Sequence, residues 1–148
     1  ASLKSMSPLD KESVQKRLLK LRDTITELSE YAKASQKEFI ADTMLHDAAM
    51  YNLTVGIEAV TDIGNHFLSV VFQKSARDSA DILRLLGELG VVSKKMIQEN
   101  RGMAGFRNIL VHEYAEIDLK KVHKYLKGAP SIFQKFADCY IKFLGKHS

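Results

Sequence analysis

The sequence predicts an all-α protein: an up-and-down bundle of four main helices plus one short helix, with a kink in the last. Three observations predict it. Apolar residues recur at three- and four-residue steps along most of the chain. Strand-like alternation is absent, and prolines are confined to Pro8 and Pro130. The 148 residues, 45% hydrophobic and 27% charged, suit one globular domain with a single core.

Taken in order, residues 1–7 are polar, lie ahead of Pro8 and are set aside as a disordered tail or processing remnant. The domain is expected to span residues 8–148. Its first helix carries the stripe Val14, Leu18, Leu21, Ile25 and Leu28. Ser35-x-x-Glu38 is a capping-box pattern that opens a second helix. That helix is expected to run unbroken through Ile40, Met44, Ala48, Tyr51, Val55, Ala59, Ile63, Phe67 and Val70, a rod of roughly 45 Å. Asp78 caps a short third helix with Ile82, Leu85, Leu86 and Leu89, and Gly90 is placed to end it in a left-handed conformation. Ser93 caps a fourth helix with Met96, Met103 and Leu110 on one face. Asp118 caps the last, whose stripe is Val122, Leu126, Ala129, Phe133, Phe136, Tyr140 and Leu144. The stripe keeps its phase through Gly128-Ala129-Pro130, which predicts one kinked helix rather than two.

A net charge of +4 permits an RNA or phosphate partner without demanding one. The single cysteine, Cys139, excludes an internal disulfide and a thiolate-rich zinc site, and its helical context reads as a packed small hydrophobe. Apolar runs are too short to span a membrane, and residues 1–8 do not resemble a secretory signal, so the expected location is cytoplasmic. No cofactor and no metal site are expected: Met44 and Met50 near His46 lack the paired ligands of a copper centre. The lysine run Lys120, Lys121, Lys124 and Lys127 reads first as a solvated helix face and second as an RNA track.

The fourth helix departs from the others. Its row continues Met96, Asn100, Met103, Arg107, Leu110, Tyr114, so polar groups interrupt a face that ought to be buried. An arginine there keeps its charge and needs partners, either a carboxylate such as Glu58 or Asp62, or a ligand. His112 follows Arg107 by five residues, which on an ideal helix turns it about 140° away. Either the helix loosens near His112, or a second copy of the chain completes the site. On a continued helix His112 shares a face instead with Asn108 and Arg101.

The stretch Met103-Ala104-Gly105-Phe106-Arg107-Asn108-Ile109-Leu110-Val111-His112-Glu113-Tyr114, followed by Ile117-Asp118, resembles the signature of HepT-like proteins, a branch of the HEPN superfamily. The segment Ile57-Glu58-Ala59-Val60-Thr61-Asp62-Ile63-Gly64-Asn65-His66 resembles that family's second helix. The resemblance implies a metal-independent endoribonuclease, the toxin of a toxin–antitoxin pair, working as a homodimer on RNA. It implies that Arg107 and His112 carry the reaction and that Asn108 supports them. It implies further that Tyr114 accepts AMP from a partner nucleotidyltransferase, the antitoxin. His66, Asn100 and Arg101 are candidate cleft residues, although a hydrogen-bonded core role is open for His66. Tyr114 is open to a second reading too, as a tyrosine capping the bundle. The runner-up function is a non-catalytic subunit that presents a nucleotide or substrate to a nucleotidyltransferase.

Overall fold

The computed structural model describes residues 10–147. All regular structure among them is helical. The first helix, α1 (Lys11–Tyr31), is capped by Asp10, whose carboxylate accepts the Ser13 N–H. Its buried side chains Val14, Leu21 and Leu28 belong to the predicted stripe. Ser35 and Glu38 form the predicted capping box reciprocally, at 3.1 and 3.0 Å.

The helix this box opens is short. α2 (Gln36–Ala41) ends at Asp42, which is extended at φ −103°, and α3 (Thr43–Val70) starts afresh with the Asp42 carboxylate accepting the Leu45 N–H. The single helix expected from Ser35 to Val70 is therefore two. The restart shifts the buried row to Met50, Leu53, Ile57, Val60, Ile63, Gly64 and Phe67. Met44 and Tyr51, expected inside, are exposed.

α4 (Ser79–Glu88) is capped by Asp78 as predicted, and Gly90 beyond it has φ +76°, the left-handed conformation that costs glycine least. The fourth expected helix is also two pieces, α5 (Lys94–Glu99) and α6 (Met103–His112). Asn100 ends α5 by turning its side-chain amide back onto the Met96 carbonyl at 2.8 Å. Gly102 then opens α6 without a side-chain cap. A 3₁₀ turn (Tyr114–Glu116) follows, and α7 (Leu119–Lys146), capped by Asp118, runs unbroken through Pro130. All of its predicted stripe, Val122 to Leu144, is buried.

The three long helices α1, α3 and α7 pack against one another, and α4 and α6 pack on α3. Gly56 lets α3 pack against α7, because any β-carbon there would strike the Phe133 ring. The Tyr140 hydroxyl, fully buried, donates to the Val60 carbonyl at 2.7 Å and ties the same two helices. Such a bond contributes about 1 kcal/mol. No helix among the described residues is long and apolar enough to cross a membrane.

Candidate active site

α6 is anchored by Met103, Ala104 and Leu110, which face the core. Arg107 lies on the flank of that buried face, turned toward α3. Its Nε and Nη2 both donate to the same Glu58 oxygen, at 3.2 and 2.5 Å, and its Nη1 donates to Asn108 Oδ1 at 3.3 Å. The carboxylate partner is therefore Glu58, one of the two the sequence offers. Glu58 and Arg107 keep 42% and 30% of their side-chain surface, so the pair is only half withdrawn from solvent. Asp62, one turn beyond Glu58, lines a pocket with Arg17, Lys20, Val55 and Glu58. Burial raises its carboxyl above the ordinary range and Glu58 adds to the rise, while Arg17 and Arg107 oppose it.

His112 is the last residue of α6 and is exposed, and its ring has no hydrogen-bond partner among the described residues. The helix stays α-helical up to it and changes only afterwards, at Glu113, whose φ is −122°. The loosening considered near His112 is seen only beyond the histidine, so within the helix the two residues keep their helical spacing. Arg107 and His112 leave one continuous helix in different directions. Asn108 is exposed one turn before His112 and on its side.

Tyr114 does not cap the bundle. It is 51% exposed and its hydroxyl donates to Asp47 on α3. That bond, and to a lesser degree desolvation, raises the phenol pKa. Asp47 carries no signal in the sequence, because nothing local joins residues 67 positions apart.

The other candidates scatter. Asn100 and Arg101 lie in the break between α5 and α6 rather than on a continued helical face. His66 is half-buried with Nε2 unpartnered among the described residues. Its pKa is lowered by burial and by the charge of Arg17, with Asp10 opposing. Cys139 packs its Sγ 3.8 Å from Met96 Sδ, and burial raises the thiol pKa, as suits a packed hydrophobe. No cluster of three or more His, Cys, Asp or Glu side chains placed to hold a metal occurs among the described residues.

The lysine face is divided. Lys127 donates to the Ala32 carbonyl beyond the end of α1. Lys121 and Lys124 instead border a pocket of about 420 Å³ whose floor includes Phe106 and Tyr125. Their rings lie 4.4 Å apart between α6 and α7.

The profile of the family described as ribonuclease HepT-like matches residues 21–139, which include every helix that builds the site. The chain belongs to the HepT-like family. It is 31% identical over 108 residues to the mRNA nuclease HepT of Shewanella oneidensis, covering 73% of this chain and 80% of that protein. Among solved structures it is similar to the tri-AMPylated Shewanella oneidensis HEPN toxin in complex with its MNT antitoxin. There the TM-score is 0.76 and the identity 25%, over 85% of this chain and 94% of that one. A cytosolic protein of unknown function, YutE from Bacillus subtilis, shares the fold with a TM-score of 0.81 at 18% identity, over 93% and 92% of the two chains. The HepT-like membership anticipated from residues 103–118 is thus met by a match across most of the chain.

Proposed function

We propose that this HepT-like protein is a ribonuclease toxin whose active site forms where two copies of α6 meet. The observation that carries the reading is the exposed His112 at the end of α6, five residues from a charged Arg107 and pointing away from it. Arg107 retains donor capacity on Nη1 and Nη2 for a scissile phosphate and for the charge that grows on it in the transition state. His112 takes the proton from the attacking 2′-hydroxyl or gives one to the leaving 5′-oxygen. Side chains supply both roles, so the reaction as proposed needs no metal. Asn108, already hydrogen-bonded to Arg107, holds the guanidinium or a phosphate oxygen.

The exposed apolar side chains Ile109 and Val111 flank His112, and Tyr51 is exposed on the neighbouring α3. Apolar residues beside a polar motif are what a homodimer interface requires. Tyr114, at the rim, is the residue that a partner nucleotidyltransferase antitoxin modifies with AMP. The added anion repels RNA and closes the cleft. The AMPylated Shewanella toxin with its MNT antitoxin supports this part of the reading.

The test is cleavage of RNA in the presence of a chelator by the wild type, Arg107→Ala and His112→Ala. Each substitution is expected to lower the rate by about 100-fold or more. Cleavage at the wild-type rate by both variants would remove the catalytic assignment.

A further inference from the structure

The bond between Tyr114 and Asp47 does more than pin a turn. We propose that Asp47 is the proton acceptor for Tyr114 when that phenol takes up a nucleotidyl group, so the toxin chain supplies a catalytic group for its own modification. The inference rests on the reading of Tyr114 as the acceptor.

Three observations carry it. The Tyr114 hydroxyl already points its proton at Asp47 Oδ1, from the 3₁₀ turn across to α3. About half of Tyr114 is open to solvent, and a pocket of about 230 Å³ lined by Asp47, Tyr51, Leu110 and Tyr114 lies beside the phenol. A bulky phosphorus electrophile therefore has room to approach Oη. Finally, the phenol is protonated near neutral pH, and the hydrogen bond to Asp47, with desolvation and the carboxylate's charge behind it, raises its pKa further. No preformed phenolate serves as the nucleophile, and the proton has to leave as the new bond forms.

The step balances simply. Oη of Tyr114 bonds to the α-phosphorus of a nucleoside triphosphate, the bond from that phosphorus to the β-phosphate oxygen breaks, and pyrophosphate leaves. The phenolic proton passes to the Asp47 carboxylate. An aspartate facing a substrate hydroxyl plays the same part in protein kinases.

His46 stands behind the carboxylate. Its Nδ1 is 3.0 Å from the Phe39 carbonyl, which only accepts, so that nitrogen carries the hydrogen. Its Nε2 lies 3.8 Å from Asp47 Oδ1, beyond hydrogen-bond distance, so the carboxylate oxygen is left to the Tyr114 hydroxyl. The remaining acids in the turn, Glu113 and Glu116, are exposed and make no hydrogen bond to the phenol.

The experiment measures AMP incorporation into Tyr114 of the intact protein by the cognate nucleotidyltransferase with magnesium and ATP, read by mass spectrometry. Asp47→Asn keeps an oxygen for the hydroxyl to donate to and removes only the basicity. It is expected to slow incorporation by about 100-fold, and Asp47→Glu to restore part of it. The ratio of wild-type to Asp47→Asn rates is expected to shrink as pH rises toward the phenol's ionisation, which cancels the transferase's own pH dependence. Asp47 lies on the solvent side of α3 with 43% of its side chain exposed. Thermal unfolding by circular dichroism is therefore expected to be unchanged in the variant. Wild-type incorporation by Asp47→Asn would overturn the role of Asp47 while leaving Tyr114 as the acceptor. Absence of AMP from Tyr114 in the wild-type protein would overturn both.

Discussion

Arg107 meets two demands at once. Its guanidinium stays charged in a half-buried position, and it keeps donors for a phosphate. Glu58 meets the first by accepting two of its N–H groups on one oxygen. It also competes with any phosphate for the same cation. An ion pair this open to solvent is worth at most about 1 kcal/mol after screening, so the competition is mild. Glu58→Gln is therefore expected to tighten binding of an uncleavable 2′-O-methyl RNA by about two- to five-fold, read by fluorescence anisotropy. Unchanged or weaker binding would mean that Glu58 orients Arg107 rather than competing for it. At this scale the sequence is informative where a residue type forces the issue. An arginine in an apolar row must find a carboxylate, and Glu58 was one of two within reach. It is silent where exposed groups meet by tertiary accident, as Asp47 and Tyr114 do.

At the scale of elements, capping chemistry carried most of the information. Asp10 and Asp42 apart, the side-chain caps at Ser35, Asp78, Ser93 and Asp118 stand where the pattern puts them. The two breaks escape a sequence reading because a row of apolar residues at three- and four-residue steps can be drawn straight across each. Asp42 is a single extended residue whose side chain restarts the helix at once. Asn100-Arg101-Gly102 inserts a turn between two stretches that are both helical. Without the break at Asp42 the expected register is wrong over the first two thirds of α3 and meets the buried row only at Ile63 and Phe67. Element stability also has a pH signature, centred on the start of α4. The Asp81 side chain is 5% exposed and accepts from the Arg77 backbone N–H at 3.0 Å and from Arg84 at 2.6 Å. These bonds, the backbone one foremost, hold its carboxyl well below the ordinary range. A folded-state pKa below the unfolded one means that the contribution is complete above about pH 4 and is lost as pH falls below it. The urea midpoint of Asp81→Asn is expected to lie below that of the wild type at pH 6 and to converge with it under acid. An equal gap at pH 3 and pH 6 would contradict this.

At the scale of the whole molecule, the all-helical bundle was legible in the sequence because one core serves the long helices, and their buried rows repeat over many turns. The proposed assembly rests on a different kind of signal, the mismatch between a helical repeat and a motif five residues long. The helical spacing that α6 keeps up to His112 sharpens that mismatch. The shared cleft proposed above would resolve it by completing the pair between chains, Arg107 of one copy with His112 of another. Subunit mixing tests this most directly. Arg107→Ala and His112→Ala proteins, each inactive alone, are unfolded together, refolded as a 1:1 mixture and assayed on RNA. A two-fold dimer with sites shared between chains leaves one intact site in each mixed dimer, so cleavage is expected to return to about a quarter of the wild-type rate. A mixture as inactive as either variant alone, despite verified mixed dimers, would contradict the shared cleft.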